Sequence, residues 1–564
     1  MPILEILNLI FFQAAAVLCA VACYRGIKRD ETAITIPEQP ENNEKLYNIS
    51  LAVIAAISVF VRVWQFGSVP GGFNQDGAMA AVDGFAIGQY GTDRFGTFMP
   101  AHFYAWGNGQ MSAMLPYMIA PLTRLFGLNP VTARLPLLFT SLCGGVFLYI
   151  LVKDIFGKRT AWIAAAVVAL NPWHLVQSRW AVDCNLLPHF FIAGLCFLNK
   201  GLQGNRKHIF ISMIFFGLCM YCYGVALYTI PVFLLITAVY YCVVKRLKPT
   251  DVLISAGIYL LVAWPFLITM AINFFKWETI RLPFMTIQYY PESTRSGDIL
   301  FFSEQPVSQL ISNAEKLISA TLLQAKDLPW NDVKQFGTMY LFSMPFVILG
   351  IIQVVSSKKN AQYPLVIIAL VTAIISGLIT NGVNVNRINI IYYVLMILLA
   401  VGISAVLGEI KKSRAILAAM YGLMGCLLII TYFTSYKDMI ADCFFDGFGQ
   451  ALECAQESGA EKIYITDNTQ MVRSDAVSEI LTLFHDATDI KYFQGETNIN
   501  HGIERLPYTE RYNYVTIDET TQQDTAGESA AYVMLVSELQ YFDTEEYDVE
   551  TFRLYCALTR KQGP

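Results

Sequence analysis

Three acidic residues, Asp76, Asp83 and Asp93, stand in one glycine- and aromatic-rich stretch that runs from Gly71 to Gln110. Those forty residues hold nine glycines and few long charged side chains, a composition unlike a flexible linker. Flanked by Phe73 and Phe85, a carboxylate there is partly desolvated, which raises its pKa and makes it a better proton acceptor. A further acid, Asp183, lies beside Arg179 in SRWAVDCNLLPHFF. Arg134 (in TARLPLL) and Arg387 (in NVNRINIIYY) each open an apolar run. Arginines converging near carboxylates suit a phosphate diester held at an interface. The chemistry this set could perform is proton abstraction at Asp76 or Asp183, with Arg134, Arg387 and Arg179 on a phosphate. Asp93, His102 and Arg295 are candidate substrate contacts. Plainer roles compete. Asp76 suits the N-cap of a helix starting at Gly77, Arg179 and Asp183 suit a surface ion pair, and outer arginines suit snorkelling to headgroups.

The elements that must position these groups are membrane helices. The chain has 564 residues, 55% hydrophobic and 15% charged, whereas soluble domains average about 25% charged. A crossing needs roughly 20 apolar residues. Twelve stretches qualify, near 4–24, 47–66, 131–152, 159–176, 184–199, 207–223, 225–244, 250–273, 336–355, 361–380, 384–408 and 413–434. The segment 111–126, broken by Pro116 and Pro121, fits an interfacial helix better than a span. Basic residues fall in alternate short loops, such as Lys153, Lys158 and Arg159, or Lys411, Lys412 and Arg414. By the positive-inside rule these loops face the cytoplasm. The long loops 67–130 and 274–335 then face outward, with the candidate residues beside them. The first apolar segment has no basic n-region and reads as a retained anchor. Three regions result: an anchor and cytoplasmic loop over 1–46, a transmembrane catalytic region over 47–436, and a tail over 437–564.

The tail carries nine Lys and Arg against 24 Asp and Glu, a net charge of −15. It reads as a small α/β domain with a helix over 446–458, strands at 462–466 and 531–536, an edge strand at 551–558, and a mobile acidic loop at 517–529. Its acidity excludes nucleic acid as a partner. Cys443, Cys454 and Cys556 leave one disulfide possible. No Cys/His spacing resembles a zinc site, and no Gly-rich loop ends in Lys-Ser/Thr. No cofactor is expected, although a divalent metal shared by Asp76 and Asp183 stays open.

One ordered pattern runs through this architecture. A span precedes an outer loop with an early Asp, and an interfacial segment ends PLTRLFGLNPVTARLPLL. A basic turn, DIFGKRTA, and a helix ending ALNPWHLVQSRWAVD follow. The pattern resembles the C-type membrane glycosyltransferase superfamily, in the branch with protein O-mannosyltransferases and lipid A aminoarabinose transferases. The resemblance covers about residues 47–200 and continues through Asn386–Tyr393. It implies a multi-pass plasma-membrane enzyme that moves a sugar from a polyprenyl-phosphate donor to an acceptor hydroxyl on the outer face, with inversion. It further implies that Asp76 is the general base, that Arg134 and Arg387 contact donor phosphate, and that Asp183 is a second acidic site. The acceptor, whether protein, glycan or lipid, is not specified. One departure stands out: where the family has Asp-Glu, this chain has Asp76-Gly77. A lipid flippase or transporter and a non-catalytic scaffold are the competing readings. Charges at span ends and long loops on one side favour the enzyme over a transporter with midplane charges.

Overall fold

The computed structural model describes residues 2–28, 44–107, 109–291, 299–333, 335–357 and 363–561. Every one of the twelve apolar stretches carries helix. Among the described residues, seven helices are long and apolar enough to cross a membrane, from Ile3–Ile27 and Glu44–Val63 to Ile391–Glu409 and Ser413–Cys443. The other five, Lys158–Ala169, Leu187–Leu202, Arg206–Cys219, Met344–Ser356 and Tyr363–Ile379, have 12 to 17 residues. Local chemistry shortens them. In the stretch 159–176 the helix stops at Leu170, and Asn171 caps a new helix, Pro172–Gln177, by accepting the His174 N–H. Proline at N1 fixes that restart.

The helix Ile391–Glu409 runs through the middle of the bundle, 89% of its apolar window buried. Its closest neighbour is Met344–Ser356. A Cβ on Gly402 would fall 1.9 Å from the Phe346 carbonyl oxygen, and one on Gly350 equally close to that of Leu398. Small residues at a crossing let helix backbones approach in lipid, where association rests on packing.

Both long loops gather at one end of the bundle. The first forms a helix, Gln75–Tyr90, then a turn, a pair of two-residue strands, and the 13-residue helix Met114–Phe126. The segment 111–126 is thus too short to span, as its two prolines indicated. Asn74, not Asp76, caps the first helix: its Oδ1 accepts the Asp76 N–H at 3.0 Å, so the helix begins two residues earlier than a cap at Asp76 would allow. The second loop forms a hairpin, Ile280–Leu282 with Met285–Ile287, and a helix, Pro306–Thr321. Thr286 of that hairpin bonds Met99 and Ala101, joining the two loops.

The tail folds as an α/β domain on the same end. Its strands are β1 (Lys462–Thr466), β2 (Tyr512–Val515), β3 (Ala530–Leu535), β4 (Tyr547–Phe552) and β5 (Tyr555–Arg560), in the order β4-β5-β3-β1-β2. β1 pairs parallel with β2 and β3, and β5 antiparallel with β3 and β4. The expected edge strand is therefore a hairpin whose second arm lies inside the sheet. The segment 517–529 is not a loose loop. It holds a helical turn, Thr521–Asp524, and Glu528 pairs with Lys462 at 2.7 Å. Cys443, Cys454 and Cys556 are free thiols.

Candidate active site

The loop between the helices Glu44–Val63 and Gln75–Tyr90 carries the chain to Asp76, and two buried arginines fix it. Arg179, 0% exposed, donates from Nη1 to the carbonyls of Val61 and Arg62 and from Nη2 to those of Trp64, Gln65 and Val69, at 2.6–3.2 Å. It closes the C-terminal end of a helix, whose last carbonyls lack partners and whose dipole favours a cation. Arg134, 2% exposed, donates to the carbonyls of Phe66, Gly67, Pro70 and Gly72 at 3.0–3.3 Å. Both were expected on donor phosphate. Their Nη donors instead go to backbone carbonyls, because a polar loop buried at a helix end must have its carbonyls satisfied. Their role here is to hold the loop.

From that loop the chain enters Asn74 and Asp76. Trp106 donates its indole Nε1–H to Asp76 Oδ1 at 2.6 Å, which fixes the half-buried carboxylate. Gly77 stands against the Asp183 loop: a Cβ there would fall 2.5 Å from the Ala181 carbonyl oxygen. The position has no room for a side chain, which accounts for glycine beside Asp76. Asp183 opens a 3-10 turn, and its Oδ1 accepts the Cys184 N–H at 2.7 Å. Asp76 and Asp183 both lie close enough to act electrostatically on the buried Cys184 thiol. The Cys184 carbonyl accepts Asn389 Nδ2–H at 2.5 Å, which ties in the 381–390 segment. Arg387 stands half-buried in that segment, its N–H on Asn384 Oδ1 at 3.0 Å and its guanidinium on the Asn381 carbonyl. The structure thus gathers Asp76, Asp183 and the Arg387 segment around Cys184. Among the described residues, the buried oxygens of Gln75, Asn386 and Asn389 have no hydrogen-bond partner.

The remaining candidates lie elsewhere. Asp93 is buried and closes its own turn, accepting the N–H groups of Phe95 and Thr97 at 3.0 and 2.8 Å. Burial raises its pKa. His102 is buried edge-on to Phe266 and Tyr290. Arg295 lies outside the described residues. Among the described residues no group of three or more His, Cys, Asp or Glu is placed to hold a metal ion.

Sequence reasoning missed three features. Trp106 orients Asp76 from thirty residues away. Asp83 forms a buried ion pair with Arg94, 2.5 Å between Oδ2 and Nη1, that ties the Asp76 helix to the turn after it. Burial raises the Asp83 pKa against the pull of that guanidinium. The tail domain also covers the loop directly. Phe484 stacks on Phe73 at 4.2 Å and 14°, the Phe444 carbonyl accepts the Phe73 N–H at 2.6 Å, and Tyr90 donates to Asp489 at 2.9 Å. A cleft of about 690 Å³ lies along this seam, lined among others by Gly71, Pro130, Glu453, Asp486, His501 and Arg505. Only the ion pair left a sequence trace, an Asp and an Arg eleven residues apart.

Comparison with known proteins decides the fold. A family model described as dolichyl-phosphate-mannose-protein mannosyltransferase matches residues 111–290. Crystal structures of ArnT from Cupriavidus metallidurans align over 92% of this chain. The form bound to undecaprenyl phosphate has a TM-score of 0.54 at 12% identity and is covered in full. The apo form has a TM-score of 0.52, also at 12% identity, and is covered over 99%. The fold is that of the C-type membrane glycosyltransferases. No curated protein matches the chain. Within the C-type fold of this chain, the family match includes Arg134, Arg179 and Asp183, while Asp76 and Arg387 lie on either side of it.

Proposed function

We propose that this chain transfers a sugar from a polyprenyl-phosphate donor to an acceptor hydroxyl. The observation that carries the reading is the Asp76 carboxylate, fixed by Trp106 at 2.6 Å and placed with Asp183 and the Arg387 segment at one end of a C-type bundle. The similar ArnT structure is described as bound to undecaprenyl phosphate, which supports a donor of that class. Such a donor keeps its chain in the bilayer and its phosphate at the interface. The basic pattern of the short loops supports an outer location for this end.

In the proposed reaction the acceptor oxygen attacks the anomeric carbon in line, and the bond from that carbon to the phosphate oxygen breaks. The electron pair leaves with the phosphate, which is already a stable anion and needs a cation rather than a general acid. Arg387 supplies that charge. Asp76 takes the hydroxyl proton late, when the oxygen has become acidic, an effect worth roughly 10²–10⁴-fold. One displacement inverts the anomeric centre. Asp183 is the second acidic group of the site and the alternative base. Arg134 and Arg179 contribute by holding the loop that delivers Asp76.

The test is transfer of radiolabelled sugar by purified full-length protein in lipid. A polyprenyl-phosphate sugar is compared with the corresponding nucleotide sugar as donor. Transfer from the lipid donor alone supports the proposal. Transfer from the nucleotide sugar, or lipid translocation with no new glycosidic bond, overturns it.

A further inference from the structure

The second long loop ends in a turn, DLPWND over 327–332, that the mechanism above does not use. Asp327 Oδ2 accepts the Val385 N–H at 2.6 Å and the Asn331 Nδ2–H at 2.9 Å. Asp332, the last residue of the turn, is buried. Trp330 at its tip stands 6.5 Å from Trp180, edge-on at 66°, and 6.5 Å from Phe444. Trp180 precedes Asp183 in the chain, and Phe444 is the residue whose carbonyl holds Phe73 ahead of Asp76. One turn therefore touches the segment of Arg387, the loop of Asp183 and the tail residue that pins the Asp76 loop.

Val385 lies two residues before Arg387, in a stretch of turns rather than helix. A backbone there has no ladder of its own to fix it, so a charged hydrogen bond at one N–H sets the direction of the whole segment. We infer that Asp327 is a positioning residue, whose bond to the Val385 N–H sets the 381–390 segment so that Arg387 meets the donor phosphate. This rests on the reading of Arg387 as the phosphate contact.

The experiment measures the Kd of undecaprenyl phosphate for full-length protein in nanodiscs, with the melting temperature of each variant alongside. Arg387→Ala serves as reference. Asp327→Ala removes the acceptor of the Val385 N–H and should weaken binding about tenfold, as expected for loss of one charged hydrogen bond. Asp327→Asn keeps an oxygen that accepts this N–H and should stay within about threefold of wild type. Asn331→Ala, which only loosens Asp327, should fall between them and answers the question if Asp327→Ala does not fold. In the proposed enzyme the Asp327→Ala loss should appear in KM for the donor and not in kcat. Unchanged Kd in Asp327→Ala and Asn331→Ala, with Arg387→Ala weakened, overturns the inference alone. Equal weakening in Asp327→Asn and Asp327→Ala overturns it too, because charge rather than the Val385 bond would then matter. Unchanged Kd in Arg387→Ala overturns the phosphate reading beneath it.

Discussion

Arg179 and Arg387 stand at the same end of one bundle, and their surroundings differ. Arg179 is fully buried and spends its Nη donors on five backbone carbonyls. Arg387 is half-buried, in a segment bonded to the loop of Asp183. Residue type does not distinguish them; depth does, and so does where their carbonyl partners lie, for Arg179 binds a loop more than a hundred residues away and Arg387 its own segment. A guanidinium surrounded by carbonyls is scaffold, because withdrawing it would strand oxygens that nothing else satisfies. A half-buried one, such as Arg387 on the Asn381 carbonyl of its own turn segment, has surface left for a ligand.

The largest effect should come from breaking the scaffold side. Arg179→Ala leaves five carbonyls without their donor and should cost at least about 3 kcal/mol. Loss of monodisperse protein, or a collapsed melting temperature in detergent, would show it. Arg179→Lys keeps the charge without the planar fork and should recover only part of this. Arg134→Ala should follow the same pattern. A variant of either arginine that folds normally and loses only donor affinity would reverse the assignment.

On the other side, Arg387→Ala should fold with a melting temperature near wild type and bind undecaprenyl phosphate at least about tenfold more weakly, as for loss of a charged contact. Equal loss of folding in Arg387→Ala and Arg179→Ala would erase the comparison.

The smallest effect sharpens the same contrast with histidines of the tail. His485 packs between Phe448 and Phe484, and burial pushes its pKa from 6.5 down to about 4. His501 lies on the surface, and its bond to Asp486 pushes its pKa up. A lowered histidine contributes stability that is present above pH 6.5 and is lost as pH falls toward 4, since only the unfolded chain takes the proton readily. Wild type should therefore lose up to about 3 kcal/mol more than His485→Asn across that window, by melting temperature against pH. His501 works in the opposite sense and is common to both proteins, so the difference isolates His485. Parallel curves would show that burial does not hold His485 neutral.

Much of the architecture was legible because it depends on period and composition. Apolar runs located the helices, the prolines at 116 and 121 marked a helix too short to span, and Lys462–Thr466 announced its strand. Boundaries erred where two residues offered the same service. Asn74 and Asp76 are both good caps, and only the backbone path selects Asn74. The arginine roles were illegible for a physical reason. The carbonyls that Arg134 and Arg179 hold lie 62 to 118 residues away, and any residue type supplies a carbonyl. Trp106 was hidden likewise, since a tryptophan in an aromatic-rich loop gives no sign of which acceptor its N–H will meet. Gly77, odd as a departure from a two-carboxylate pattern, becomes intelligible once the Ala181 carbonyl is seen where its side chain would go.

The central claim is that Asp76 is the base, and single-turnover sugar transfer from a polyprenyl-phosphate donor tests it most directly. Wild type, Asp76→Asn and Asp183→Asn are compared at equal amounts of folded protein and saturating donor. The carboxamide keeps the carboxylate's shape, can still accept the Trp106 N–H and cannot take the proton. The account predicts that Asp76→Asn falls by roughly 10²–10⁴ while its donor affinity holds. Transfer by Asp76→Asn at the wild-type rate, with the loss appearing in Asp183→Asn, would contradict it and move the base to the other side of the site.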